Sequence, residues 1–257
     1  MTKRSEDSVT VAHQEWEALA QYDAMWAVLS DPNKHGDRWD PEEFFETGKR
    51  EIAQTKAWVE ENGLTFGGGR ALDFGCGVGR LTQALAHDFE VVVGIDISET
   101  MIEMAQKHNR EGERVIYLRN EAADLALVED ESFDFIYTSM VLQHVAPSLA
   151  KQYIAEFAKK LRTGGAVAFQ LPTERKPDKS PWKKYRRLLG ALFPEALRIM
   201  YRKALGRPLV GAMPMSAIPQ PEVNALLAEV GLELKAVAEN KAAGNRWISH
   251  KFLAVKS

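Results

Sequence analysis

Cysteine is nearly absent. The 257-residue chain has one, Cys76, which excludes an internal disulfide and a cysteine-rich metal cage. Long apolar runs are missing as well. No segment reaches the ~18 uninterrupted apolar residues of a spanning helix, and the opening MTKRSEDSVTVAHQEW has no signal-peptide core. A reducing, cytoplasmic setting is the expectation. Neither sign of charge dominates: the net charge of −3 is too small to imply a polyanionic partner for the whole chain. Repeats and low-complexity tracts are absent. The six histidines are scattered without a recognised ligand spacing, so no metal site is assigned.

What is present describes an ordinary folded protein. Apolar residues make up 45% and charged residues 27%, enough for a substantial core. The length fits one large domain, or one domain with an appendage. Residues 1–8 read as a frayed start. Residues 9–30 carry Val11, Trp16, Leu19, Ala20, Tyr22, Trp26 and Leu29 at helical spacing. The Asp, Pro, Asn and Gly of residues 30–39 mark a loop. A second helix starts at Asp40 as N-cap, with Pro41 at the first position and Glu43 completing a capping box, and stops at Gly63.

From residue 71 the pattern becomes strand and helix in alternation. Apolar runs at 71–74, 91–95, 115–118, 135–138 and 166–171 are separated for the most part by helical stretches at about 79–87, 98–109 and 148–161. That order implies a parallel sheet covered on both faces. The end differs: a short helix over 221–230, then runs at 232–238 and 247–255 around a Gly/Asn turn, which read as an antiparallel hairpin.

The chemistry begins at LDFGCGVGRL, residues 72–81. Three glycines between a strand and a helix let the backbone turn sharply and let a ligand approach closely. The helix N-terminus offers free N–H groups. The spacing is G-x-G-x-G, not the G-x-G-x-x-G of pyrophosphate-binding dinucleotide folds. S-adenosylmethionine (SAM) carries no phosphate, and Asp73 suits its ammonium group, directly or through water. Asp96, seventeen residues after Gly79 at the end of VVVGID, can accept from both ribose hydroxyls, with Ile97 and Met101 flanking an adenine ring. The plainer readings are a tight turn at the glycines and a helix N-cap at Asp96, a role that Ser98 can also fill.

LDFGCGVGRL, VVGIDIS, DESFDFIYTSMVLQHV and LRTGGAVAFQLP together resemble the class I (Rossmann-like) SAM-dependent methyltransferases of the small-molecule, type-11/12 kind, over about residues 66–172. The resemblance implies an α/β fold with a doubly wound, seven-stranded, mostly parallel sheet and an antiparallel C-terminal strand. It places Asp73, Gly75 and Gly79 at the methionine end, Asp96 at the ribose, and Glu121 at the adenine amino group. Asp is the usual residue at that last place, and Asp124 is the fallback for Glu121. The candidate cofactor set is Asp73, Gly75, Cys76, Gly77, Gly79, Arg80, Asp96, Ile97, Met101, Glu121, Ala122 and Ser139. His144 is the candidate catalytic base, or else a residue that orders its loop or binds cofactor backbone. No Asn/Asp-Pro-Pro-aromatic motif follows the fourth strand, which argues against base-amine and glutamine substrates.

Two segments can build an acceptor pocket. One is an N-terminal helical cover, residues 1–50, set apart from a methyltransferase domain over 51–257. It brings Trp16, Tyr22, Trp26, Trp39, Phe44 and Phe45. The other is a basic helical insertion at about 172–219. Residues 174–208 hold eleven Lys/Arg against three Asp/Glu, a local charge of +8 that leaves −11 for the rest. A helix over 182–193, with Trp182, Tyr185 and Leu188 on one face and Lys183, Lys184, Arg186 and Arg187 on the other, suits a lid or an anionic membrane surface. The expected acceptor is a small or lipid-like molecule. Nucleic acid is disfavoured for want of a broad basic surface or a known module. The competing readings are an NAD(P)-dependent oxidoreductase, an RNA methyltransferase using the insertion, and a non-catalytic cofactor-binding subunit.

Overall fold

The computed structural model describes residues 3–177 and 215–257, with side chains from residue 9 onward. The basic helix expected over 182–193 lies outside the described residues.

Seven strands form one sheet: β1 (Arg70–Phe74), β2 (Val91–Asp96), β3 (Val115–Arg119), β4 (Phe133–Thr138), β5 (Leu161–Arg175), β6 (Leu232–Asn240) and β7 (Trp247–Lys256). Their order is β3-β2-β1-β4-β5-β7-β6. Pairing is parallel from β3 through β5, and β7 runs antiparallel to both its neighbours. The helices are α1 (Lys3–Val28), α2 (Pro41–Glu61), α3 (Arg80–Leu85), α4 (Glu99–Lys107), α5 (Pro147–Lys160) and α6 (Gln220–Glu229).

The near-continuous apolar strands are explained by burial on both faces. Leu72, Val93, Ile136 and Phe169 point to α5 and α6, meeting Ile154, Phe157 and Leu227. Ala71, Val92, Phe135 and Ala168 point the other way, to Val59 of α2, Leu85 of α3 and Ala105 of α4. A third cluster joins Ala24 and Met25 of α1 to Phe44 and Phe45 of α2, Val78 and Met101. The N-terminal helices are thereby fastened across the glycine loop and α4. Gly48 of α2 is where α3 comes closest: a Cβ there would stand 2.3 Å from the Arg80 carbonyl oxygen.

Local signals set most boundaries, and the differences fall in the two N-terminal helices. The first helix begins at Lys3, earlier than the expected frayed start, and is interrupted at Asp23, whose backbone is extended (φ −166, ψ 90). Asp23 is buried and accepts from Trp26 N at 3.1 Å, Gly36 N at 2.8 Å and Asp37 N at 3.0 Å. It caps the second half of α1 and ties down the following loop. At α2, Asp40 accepts from Glu43 N at 3.0 Å as expected. The reciprocal half of the capping box is missing, because the Glu43 carboxylate pairs with Lys34 instead. α2 also runs without a break through residue 50, the expected edge of the cover.

Candidate active site

The carboxyl ends of β1, β2 and β4 open into a cleft of about 750 Å3, including its mouth. This is where ligands sit in open parallel sheets. Its floor is the turn after β1. Gly75 N and Cys76 N both donate to Ile95 O, at 2.7 and 3.0 Å, which pins the turn to β2. Gly75 has φ +75, and a Cβ on it would meet Val141 Cγ2 at 2.2 Å, so only glycine lets this loop lie against the one after β4. Asp96 organises the same turn. Its Oδ2 accepts from Gly77 N at 2.8 Å and its Oδ1 from Ser98 N at 2.9 Å. Burial raises its pKa, and those backbone N–H groups offset part of the rise. The cap of α4 is Ser98, whose Oγ accepts from Met101 N at 3.1 Å. Asp96 is therefore not the N-cap.

Below the cleft, Asp73 is fully buried and accepts from Thr82 Oγ1 at 2.6 Å. Burial pushes its pKa up to about 7. A raised carboxyl pKa means that folding favours the neutral acid, so this residue opposes folding increasingly as pH rises from 3.8 toward 7. Asp73→Asn keeps an acceptor for Thr82 and removes the charge. The variant is expected to melt higher than the wild type at alkaline pH, with the gap closing toward acid. A scanning-calorimetry series in pH that shows no gap would rule out a buried ionised Asp73.

Arg80 opens α3 at the cleft wall and is 2% exposed. Its Nη2 donates to Glu51 Oε2 at 2.8 Å and its Nη1 to Thr47 Oγ1 at 3.3 Å, both on α2. Glu51 Oε1 accepts from the Tyr137 hydroxyl at 2.9 Å. Burial alone would raise the Glu51 pKa, but Arg80 and the hydrogen bonds from Arg80, Ser139 and Tyr137 bring it below the usual carboxylate value.

The roof belongs to α1. Trp16 and Val28 line the cleft from either side of the Asp23 break. Glu17 anchors this roof at the start of α4. It accepts from Ser98 Oγ at 2.7 Å and from the Thr100 hydroxyl. Burial acts to raise its pKa, but the bonds from Thr100, Ser98 and Gln21 carry it down to about 2. Trp26 and Trp39 brace the cover by donating to Asp31 O and Leu29 O, at 2.9 and 3.1 Å. Of the six aromatic residues that the N-terminal cover brings, Trp16 is the one that lines the cleft.

Residues 72–169 match the family model described as a methyltransferase domain. Over those residues the chain is similar to a methyltransferase domain. A curated relative, the ubiquinone biosynthesis O-methyltransferase of Bordetella pertussis, is 29% identical over 170 residues, which is 65% of this chain and 64% of that protein. The chain thus spans less than two thirds of that relative's length. Among solved structures, magnesium protoporphyrin IX methyltransferase from Synechocystis PCC 6803 with bound SAH superposes with a TM-score of 0.64, covering 97% of this chain and 100% of that one at 18% identity. A SAM-dependent methyltransferase from Leishmania major gives a TM-score of 0.63 over 96% of this chain and 82% of its own, at 15% identity.

Gly75, Cys76, Gly77, Arg80, Asp96, Ile97, Met101 and Ser139 come together in the cleft lining. The other candidates stand outside it. Asp73 lies beneath, on Thr82. Gly79 is the left-handed N-cap of α3, against the Tyr117 hydroxyl. Glu121 is turned to the surface, where it pairs with Arg119 at 2.7 Å and lies 3.7 Å from His13. Ala122 receives the Tyr153 hydroxyl on its carbonyl at 2.9 Å. Asn120, one residue earlier, faces the cleft instead, and its N–H donates to Asp96 O at 2.9 Å. The in-register pairing of Asp96 with Arg119 is the signal that places residue 120 just beyond the strand ends. His144 ends a 3-10 turn (Leu142–His144), its ring edge-on to Trp16 at 5.4 Å. Among the described residues, no group of three or more His, Cys, Asp or Glu is placed to hold a metal ion, and no helix is long and apolar enough to cross a membrane.

Proposed function

We propose that the chain is a SAM-dependent methyltransferase that acts on a small-molecule or lipid-like acceptor. The observation that carries this is the cleft itself, where the Gly75–Gly77 backbone and the Asp96 carboxylate share one wall. Gly75, Cys76 and Gly77 would hold the methionine portion through their backbone, with Asp73 and Gly79 supporting the turn and Arg80 and Ser139 beside it. Asp96 would hold the ribose. Each of its oxygens accepts one backbone N–H and keeps a lone pair for a hydroxyl. Ile97 and Met101 would flank the adenine, and Asn120 would meet its edge in place of Glu121.

SAM, when bound, supplies an electrophilic sulfonium methyl group for in-line transfer. The chain's own contribution is then positioning and exclusion of water. Trp16 and Val28 close the roof, and Met140 and Val141 form the wall that the loop after β4 presents. The curated relative is named for O-methylation in ubiquinone biosynthesis and the structural neighbour for magnesium protoporphyrin IX, and both names belong to small-molecule chemistry. The charge of +8 over residues 174–208 extends the class to lipid-like acceptors at an anionic surface.

Calorimetric titration with SAM and with NADH tests the cofactor. Binding of SAM alone is expected, and methyl-labelled SAM then reports transfer to phenols, amines, acids and lipids. Binding of NADH alone would overturn the reading in favour of an oxidoreductase.

A further inference from the structure

Beneath the loop after β4 lies a chain of buried side-chain amides. Met140 takes a left-handed backbone, φ +61, which is rare for a residue bearing a side chain and is held only where its surroundings demand it. Its backbone N–H can only donate, and it donates to Gln170 Oε1 at 3.0 Å. Gln170, on β5, is 1% exposed. With its oxygen turned to Met140, its Nε2 donates to Gln143 Oε1 at 3.1 Å and to Ser249 Oγ at 2.6 Å. Gln143 is buried in turn, and its Nε2 stands 3.0 Å from His144 Nε2. An amide nitrogen has donors only, so the ring nitrogen facing it must accept.

We infer that Gln170 and Gln143 form a directional relay that holds His144 as the tautomer protonated at Nδ1, with Nε2 accepting from Gln143. Each link is oriented by the one before, and the backbone N–H of Met140 is the origin. Reversing Gln170 would set its oxygen against Gln143 Oε1 and its N–H groups against Met140 N–H, and reversing Gln143 would set its N–H groups against those of Gln170, so each reversal leaves a buried donor unpaired. The two glutamines are positioning residues. They join the cleft wall at Met140 to the ring that meets Trp16 of the roof. Ser216 N donates to the Gln143 carbonyl at 2.8 Å and steadies the turn that carries both Gln143 and His144. While the relay is intact, His144 cannot take a proton through Nε2, which favours an orienting role over that of a base at this nitrogen. The functional meaning rests on the methyl-transfer reading of the cleft, but the tautomer is measured without any methyl transfer.

The test is a long-range 1H–15N correlation spectrum of the full chain labelled at the histidine ring nitrogens, at neutral pH. Loss of one signal in His144→Gln assigns the residue. The wild type is expected to show a neutral ring protonated at Nδ1. In Gln170→Glu a carboxylate oxygen still accepts from Met140, but the group facing Gln143 becomes an acceptor. Gln143 should reverse its amide and present its oxygen to His144, which inverts the tautomer two links away. Gln143→Glu should invert it directly and serves if the first variant does not fold. A wild-type ring protonated at Nε2, or a folded Gln170→Glu protein with an unchanged pattern, would overturn the relay. Titrating the same labelled sample with SAH keeps the two ideas apart. Absence of SAH binding counts against the cofactor reading, while the tautomer stands or falls on its own spectrum.

Discussion

Glu51→Leu is expected to lower the free energy of unfolding by about 3 kcal/mol or more, because it leaves a charged Arg80 buried without a carboxylate. In the wild type the Arg80 guanidinium lies 2.8 Å from Glu51 and the Tyr137 hydroxyl donates to the same carboxylate at 2.9 Å. After the substitution, the remaining side-chain acceptor for Arg80 among the described residues is Thr47 Oγ1 at 3.3 Å. The double variant Glu51→Leu, Arg80→Met removes both charges and should recover much of the loss, as paired replacement of buried ions usually does. The pH dependence follows from the direction of the Glu51 shift. Its folded pKa lies below 4.5, so its stabilisation is complete above that value and fades as pH falls through the folded pKa. Urea denaturation of wild type and variant at neutral and acid pH should show the gap narrowing toward acid. A neutral-pH loss below about 1 kcal/mol would mean that the pair adds no more than an exposed one.

Asp96→Ala is expected to weaken SAH binding about 30-fold, close to 2 kcal/mol for a charge-assisted hydrogen bond lost. The effect has two sources. On the proposed reading the ribose would lose its acceptor, and Gly77 N and Ser98 N lose the carboxylate that fixes the turn. Glu121→Gln is the informative comparison. Its side chain is on Arg119, at the surface, so its SAH affinity should match the wild type. Titration calorimetry on both variants decides the matter. Unchanged affinity in Asp96→Ala would remove this residue from the site, and an equal loss in Glu121→Gln would place the adenine on the surface side of β3.

Much of the cleft was legible because its parts are local. The turn from Gly75 to Gly79 needs positive φ at its glycines, and no other residue type provides that cheaply. Asp96 ends an apolar strand one register step from the glycine turn, so its place followed from strand length alone. Glu121 misled because two neighbouring residues at a strand end face opposite ways. Arg119 holds the Glu121 carboxylate at the surface beside Glu99 of α4, while the Asn120 side chain donates to Asp124 O and accepts from Ala122 N in its own loop. Glu17 and Glu51 gave no local sign at all. Each is one acid among several on an N-terminal helix.

The sequence by itself determined the order of strands and helices, the antiparallel ending and the glycine turn with its acid, since these rest on periodicity, backbone freedom and distances of a few residues. Tertiary structure alone decided what lies over and under that turn. Trp16 over the cleft, Glu17 at the start of α4, Glu51 on Arg80 and Gln170 under Met140 bring together residues 29 or more positions apart. Such contacts depend on how helices dock across a sheet, and no local pattern records which of many polar side chains will find a buried partner.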